Sequence, residues 1–210
     1  MIEIELANGK RIDRCFEKVV RFCGPGAGQG YYKAYDCASI EQDNTLRDSD
    51  ILVANKLGAR IGRESLLMFR RNRTKIEAAL KSVPVGIALD DSWPDEESMW
   101  EAIGSVYRAC WTSDVREART TKVLHKKRPQ LIPIIDGRMV IGWYYGGYSG
   151  PKKRGIDRMV EVTERIREDM RRNTDPLREL QKELVEAGIN LTRVRLFDMV
   201  LWEAYQRSRW

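Results

Sequence analysis

Asp136 ends a run whose residue types could do chemistry. Thr120-Thr121-Lys122-Val123-Leu124-His125-Lys126-Lys127-Arg128-Pro129 reads as a basic helix closed by a proline stop. Gln130-Leu131-Ile132-Pro133-Ile134-Ile135 reads as an apolar connector that delivers one carboxylate to the start of the next helix. Such a layout aims a single Asp at a fixed point beside a positively charged surface. A carboxylate held there can stabilise the cationic sugar that forms as a sugar–base bond in DNA breaks. The plainer alternative is that Asp136, before Gly137-Arg138-Met139, caps a helix. Lys122 is a supporting candidate, its alternative being a solvated helix lysine. His125, the one histidine, reads as a surface or half-buried residue rather than a general base.

Aromatic residues supply candidates for stacking on a base. Tyr31, Tyr35 and the acid Asp36 follow the glycine-rich stretch Gly24-Pro25-Gly26-Ala27-Gly28-Gln29-Gly30. That stretch lacks the Gly-Lys-Ser/Thr of a nucleotide loop. Trp143, Tyr144 and Tyr145 are consecutive, so at least one should be exposed or line a pocket. Tyr148 sits on a glycine turn. Folding onto the core is the alternative for the loop aromatics. Asp198 and Trp202, four apart on a helix, read as braces of the fold.

Phosphate contacts would come from the short basic clusters. Lys126, Lys127 and Arg128 form one, Lys152 and Lys153 with Arg154 another, and Arg119 precedes the first. Solvated helix ends are the alternative; several clusters on one face would make a track for a polyanion.

The elements that must position these groups are mostly helical. Ile2, Ile4 and Leu6 alternate with acids before Asn8-Gly9, predicting a strand or hairpin over residues 1–12. Asp13 should cap a helix to about Phe22. Helical periodicity begins at a cap near Asp48 or Ser49 and continues through Ile61. Further helices are predicted over about 64–81, 95–110, 115–127, 136–145, 155–172, 176–187 and 191–207. Asp114 and Glu117 have capping-box spacing for the helix starting at Val115. Thr112 and Ser113 would then sit at its N-terminus, a ready site for a phosphate, although the charge of Asp114 competes for the same donors.

With 210 residues the chain is expected to form one domain, mainly α, with a short N-terminal β-hairpin. Lys+Arg number 37 against 31 Asp+Glu, a net +6, which is basic without being extreme. The four cysteines form no Cys-x-x-Cys pair and only one histidine is present, so neither zinc, an iron–sulfur cluster nor any other cofactor is expected. No apolar run reaches a membrane span and no signal peptide is apparent, so a cytoplasmic monomer away from membranes is expected.

The order of helical hairpin at residues 97–145, apolar stretch, Asp and further helix resembles the helix-hairpin-helix superfamily of DNA glycosylases. The segment Lys127-Arg128-Pro129 with Leu131-Ile132-Pro133 and Asp136 also resembles a bacterial family of uncharacterised proteins, as do Tyr35-Asp36, Asp50-Ile51-Leu52, Arg195-Leu196-Phe197-Asp198 and Leu201-Trp202. The glycosylase resemblance implies that Asp136 is catalytic, that double-stranded DNA is the partner, and that a target base is flipped into a pocket. Two departures stand out. The turn Trp111-Thr112-Ser113-Asp114-Val115 lacks the superfamily's glycines. Members that also cut the strand carry a lysine near the position of Arg119 or Thr120, and an arginine forms no Schiff base. The resemblance therefore implies a monofunctional glycosylase that leaves an abasic site. It leaves open base excision in antiviral defence, on hypermodified phage cytosines. The alternatives are a non-catalytic DNA-binding module using the same hairpin, and a regulatory or toxin-type protein that binds a protein partner.

Overall fold

The structure, a computed structural model, describes residues 2–24, 29–136, 140–145 and 154–207. Tyr148, Lys152 and Lys153 lie outside the described residues. At the N-terminus β1 (Ile4–Glu5) pairs antiparallel with β2 (Arg11–Ile12), with Ile4 opposite Ile12. Gly9 takes a φ of 78°, the left-handed value the predicted turn demands of Asn8-Gly9.

Ten α-helices follow among the described residues. They are α1 (Cys15–Cys23), α2 (Gln29–Tyr31, running into a π-helical turn Tyr32–Asp36), α3 (Asp48–Val53, continued as a 3₁₀ turn Ala54–Leu57), α4 (Arg63–Lys81), α5 (Glu96–Cys110) and α6 (Glu117–Lys127). The remainder are α7 (Val140–Tyr145), α8 (Gly155–Arg172), α9 (Thr174–Glu186) and α10 (Arg193–Arg207). The chain is mainly α with one small hairpin. Helix α4 packs along α5, α5 along α8, and α1 against α10, so the last long helix returns to the first. Buried apolar side chains from β1, β2 and nine of these helices join one contiguous cluster that runs from Ile2 to Leu201. None of the described helices is long and apolar enough to cross a membrane.

Three local expectations are corrected. Asp13 does not cap α1; Arg14 holds that position at φ 51° and the Asp13 carboxylate pairs with Lys18 at 3.0 Å. The helix beginning at Asp48 stops short of Ile61, because Gly58, at φ 71°, turns the chain. Asp114 and Glu117 form no capping box. The Asp114 carboxylate accepts from Ser65 Oγ at 2.6 Å, Glu117 pairs with Arg158, and α6 starts at Glu117 instead of Val115. The amide of Val115 is met by Thr112 Oγ1 at 2.9 Å, so Thr112 serves a turn one residue pair ahead of the helix.

The largest correction concerns the basic triplet. Lys126, Lys127 and Arg128 do not form an outward phosphate track. Lys127 is 0% exposed, and its ammonium donates to the Glu41 carbonyl at 2.6 Å and to the carboxylates of Asp43 at 2.6 Å and Asp50 at 3.2 Å. Arg128, also buried, donates to the carbonyls of Leu80 and Val83, each at 2.8 Å, where α4 ends. A guanidinium there satisfies carbonyls that the helix leaves without intrahelical donors. Lys126 donates to the carbonyls of Tyr35 at 3.0 Å and Ala38 at 2.8 Å. The end of α6 thus clamps the segment 35–50 onto the core.

Replacing Lys127 with Ala would leave the Asp50 carboxylate, itself buried, without its cation. Loss of one member of a buried pair costs about 3–5 kcal/mol. Urea denaturation of Lys127→Ala at pH 7 is expected to show a loss of that size; a loss under about 1 kcal/mol, the range of exposed pairs, would mean that the clamp is not internal.

Candidate functional site

The connector after α6 is held by side chains along its length. Its apolar residues Leu131, Ile132, Ile134 and Ile135 are buried, so its peptide groups need partners away from water. His125 Nδ1 meets the Ile132 carbonyl at 2.7 Å. A carbonyl only accepts, so Nδ1 carries the proton. The Ile134 amide donates to Asp198 Oδ2 at 3.3 Å, and the Ile135 amide to Thr121 Oγ1 at 3.0 Å. These fixings fall within four residues of Asp136.

Asp136 itself is half-buried and opens into a hollow of about 350 Å3. Phe22 of α1 and Trp202 of α10 form part of its wall, packed edge to face at 5.3 Å. Tyr31, 41% exposed, lies at the mouth. Lys122 shares the hollow, with its ammonium donating to the Leu57 carbonyl at 2.8 Å. Burial pushes the Lys122 pKa down, and the negative charges of Asp136 and Asp198 oppose that shift. Arg60, Arg195 and Asp198 complete the polar lining.

Arg195 is buried and joins two carboxylates. Its Nε and Nη2 donate to Asp36 at 2.6 and 3.0 Å, and its Nη1 donates to Asp198 at 2.5 Å. Burial opposes its charge, but Asp198 and Asp36 outweigh that and hold it protonated. Burial raises the Asp198 pKa to about 7; Arg195 pulls it down and Asp36 pushes it further up. One cation shared by two buried acids leaves a net negative charge, which favours a proton on the trio near neutral pH.

Of the base-pocket candidates, Tyr31 alone of the described ones lines the Asp136 hollow. Tyr35 is fully buried, its hydroxyl donating to the Lys122 carbonyl at 2.6 Å, so it supports α6 instead of stacking on a ligand. Asp36 faces a second, polar cavity of about 500 Å3 on the other side of Arg195. Trp143 is core: its indole N–H donates to the Leu201 carbonyl at 2.7 Å and its ring packs against Tyr205. Tyr144 is buried too, donating to Asp169 at 3.0 Å. Among the DNA-backbone candidates, Arg119 is committed to the Ala59 carbonyl at 3.0 Å and to Asp114. Ser113 is exposed, on a turn ahead of α6 rather than at its N-terminus. Among the described residues no group of His, Cys, Asp and Glu could hold a metal ion.

Phe22, Arg60 and Trp202 carry no local sequence signal for this site, and the spacing of Asp198 and Trp202 reads as a brace of the fold. The spacing of Arg195, Asp198 and Trp202 does put them on one face of a helix. Nothing local in the sequence says that this face meets the Asp136 connector.

Burial lowers the His125 pKa to about 4 from an ordinary 6.5. The unfolded chain therefore takes up this proton before the folded one does, and the stabilising contribution, complete above pH 6.5, is lost as pH falls towards 4. In urea titrations across that window the native protein is expected to lose more stability than His125→Asn, which keeps a donor without a titratable ring. Parallel curves for the two proteins would remove His125 as the cause.

No curated protein and no solved structure matches the chain. The profile of DUF6308, a family of unknown function, matches residues 16–205, and the chain belongs to that family.

Proposed function

We propose that the protein is a monofunctional DNA glycosylase, in the manner of the helix-hairpin-helix superfamily, and that Asp136 is its catalytic carboxylate. The observation that carries this reading is the hollow itself. It combines a rigidly delivered Asp136 with the aromatic rings of Phe22, Tyr31 and Trp202 and with the cations Lys122 and Arg60. Its volume of about 350 Å3 falls at the small end of ligand pockets. A base turned out of the duplex would stack on the rings, which would place its sugar near the carboxylate. As the glycosidic bond lengthens, positive charge grows on the sugar. A fixed anion beside the sugar lowers the energy of that state without having to reorganise. Water then takes the sugar carbon and an abasic site remains. The resemblance to that superfamily would assign the gripping of the strand to helices α5 and α6 and the turn between them.

Lys122 plays a supporting part here. Its ammonium lies in the hollow with Asp136 and Asp198, whose negative charges oppose the loss of its proton on burial. Repair of damaged bases and removal of hypermodified phage cytosines in antiviral defence would both use this chemistry, and the choice of base decides between them.

The test is incubation with duplexes carrying plain, damaged and hypermodified bases, glucosylated hydroxymethylcytosine included, followed by heating in alkali. Alkali-labile breaks are expected on at least one modified duplex. Asp136→Asn is expected to slow their appearance by roughly 100-fold or more while leaving DNA affinity within a few-fold of native. Salt-sensitive binding with no breaks on any duplex would replace this reading with a non-catalytic DNA-binding module.

A further inference from the structure

Arg60 occupies an unusual position for its residue type. Its φ is 54°, in the left-handed region that a side chain with a Cβ enters at a cost. The turn that carries it runs from Gly58 to Gly62 and is fixed from several sides. Ala59 and Ile61 on either side of Arg60 are buried. The side-chain amide of Asn55 brackets Ile61, accepting from its N–H at 2.6 Å and donating to its carbonyl at 3.0 Å. Arg119 donates to the Ala59 carbonyl, and Lys122 to the Leu57 carbonyl. A glycine would fit this backbone without strain, yet an arginine stands there.

Arg60 lines the Asp136 hollow and is exposed, which sets it at the rim. It makes no hydrogen bond or ion pair with any described residue. The other cations of the hollow differ: Lys122 is held by a carbonyl and Arg195 by two carboxylates. A strained backbone that the surrounding contacts over-determine, presenting an uncommitted cation over a cavity, is a pattern that goes with ligand contact. Deeper in the hollow Lys122 and Arg195 stand beside Asp136 and Asp198, so charge there is largely matched and the rim is where a cation is left for an anion.

We infer that Arg60 anchors a phosphate at the mouth of the hollow, and that the ligand is therefore a nucleic-acid strand held by its phosphodiester beside the extruded nucleotide. The inference rests on reading the hollow as the seat of that nucleotide. It assigns the strand-gripping charge to the 58–62 turn, in place of the basic triplet that folds inward. Fork-shaped guanidinium donors suit two phosphate oxygens at once.

The experiment compares native protein, Arg60→Gly and Arg60→Lys on a duplex containing one tetrahydrofuran abasic-site analogue, which requires no chemistry. Affinity is read across a salt series and the thermal midpoint of each protein is recorded. Arg60→Gly is expected to melt at the native temperature or above it, because the strain is relieved. Its affinity should fall roughly eightfold at 0.1 M salt, and the dependence of log affinity on log salt should shallow by about one. Arg60→Lys should keep most of the slope and lose part of the affinity. An unchanged slope in Arg60→Gly, a lowered melting temperature with native affinity, or no binding by the native protein would each overturn the inference. If the native protein binds with the expected slope loss in Arg60→Gly but never releases a base, the glycosylase reading fails and the phosphate anchor stands. Base release with no effect at Arg60 gives the reverse.

Discussion

A buried guanidinium has to find its counter-charge inside the protein, and Arg195 finds two. Asp36 comes from the π-helical turn near the N-terminus and Asp198 from the same helix as Arg195. Asp198 then accepts the amide of Ile134, two residues before Asp136. One cation thereby links the turn after α2, the last long helix and the connector that bears the candidate catalytic acid. Removing Arg195 would leave two buried acids without their cation in a water-poor interior, which is far more costly than losing an exposed pair. The arrangement also separates two cavities, with Asp136 on one side and Asp36 on the other.

The connector shows how an irregular segment is fixed without regular secondary structure. Its peptide groups cannot rely on a helix or a sheet, so His125, Asp198 and Thr121 take the place of backbone partners. His125 and Thr121 both belong to α6, the helix from which the connector departs. The direction of departure is therefore set by that helix, with Pro129 and Pro133 limiting the backbone further. An arm fixed in this way would suit the electrostatic role proposed for Asp136.

Much of this was legible in the sequence where the signal is local. The bounds of α4, α5 and α8 follow from apolar periodicity and from Asp95, whose carboxylate accepts the Ser98 amide as an N-cap should. The Asn8-Gly9 turn and the proline stop after α6 are equally local. Asp136 and Tyr31 stand out by type and position in the sequence, and both line the same hollow. The rest depends on distant partners. Asp114 and Glu117 carry the spacing of a cap, but Ser65 and Arg158 claim them. Lys127 and Arg128 look like any solvated pair until Asp43, Asp50 and the end of α4 are brought against them. Trp202 and Phe22 acquire a role only because α10 packs on α1.

The inward-facing Lys127 has a bearing on long-range attraction. The formal surplus of +6 counts every lysine and arginine alike, yet this one is matched within a few ångströms by two acids and contributes almost nothing to the potential felt by an approaching molecule. Arg128 is enclosed as well. Diffusional steering of a polyanion towards this protein is then governed by where its exposed cations cluster, and the overall tally of charges is a poor guide to it.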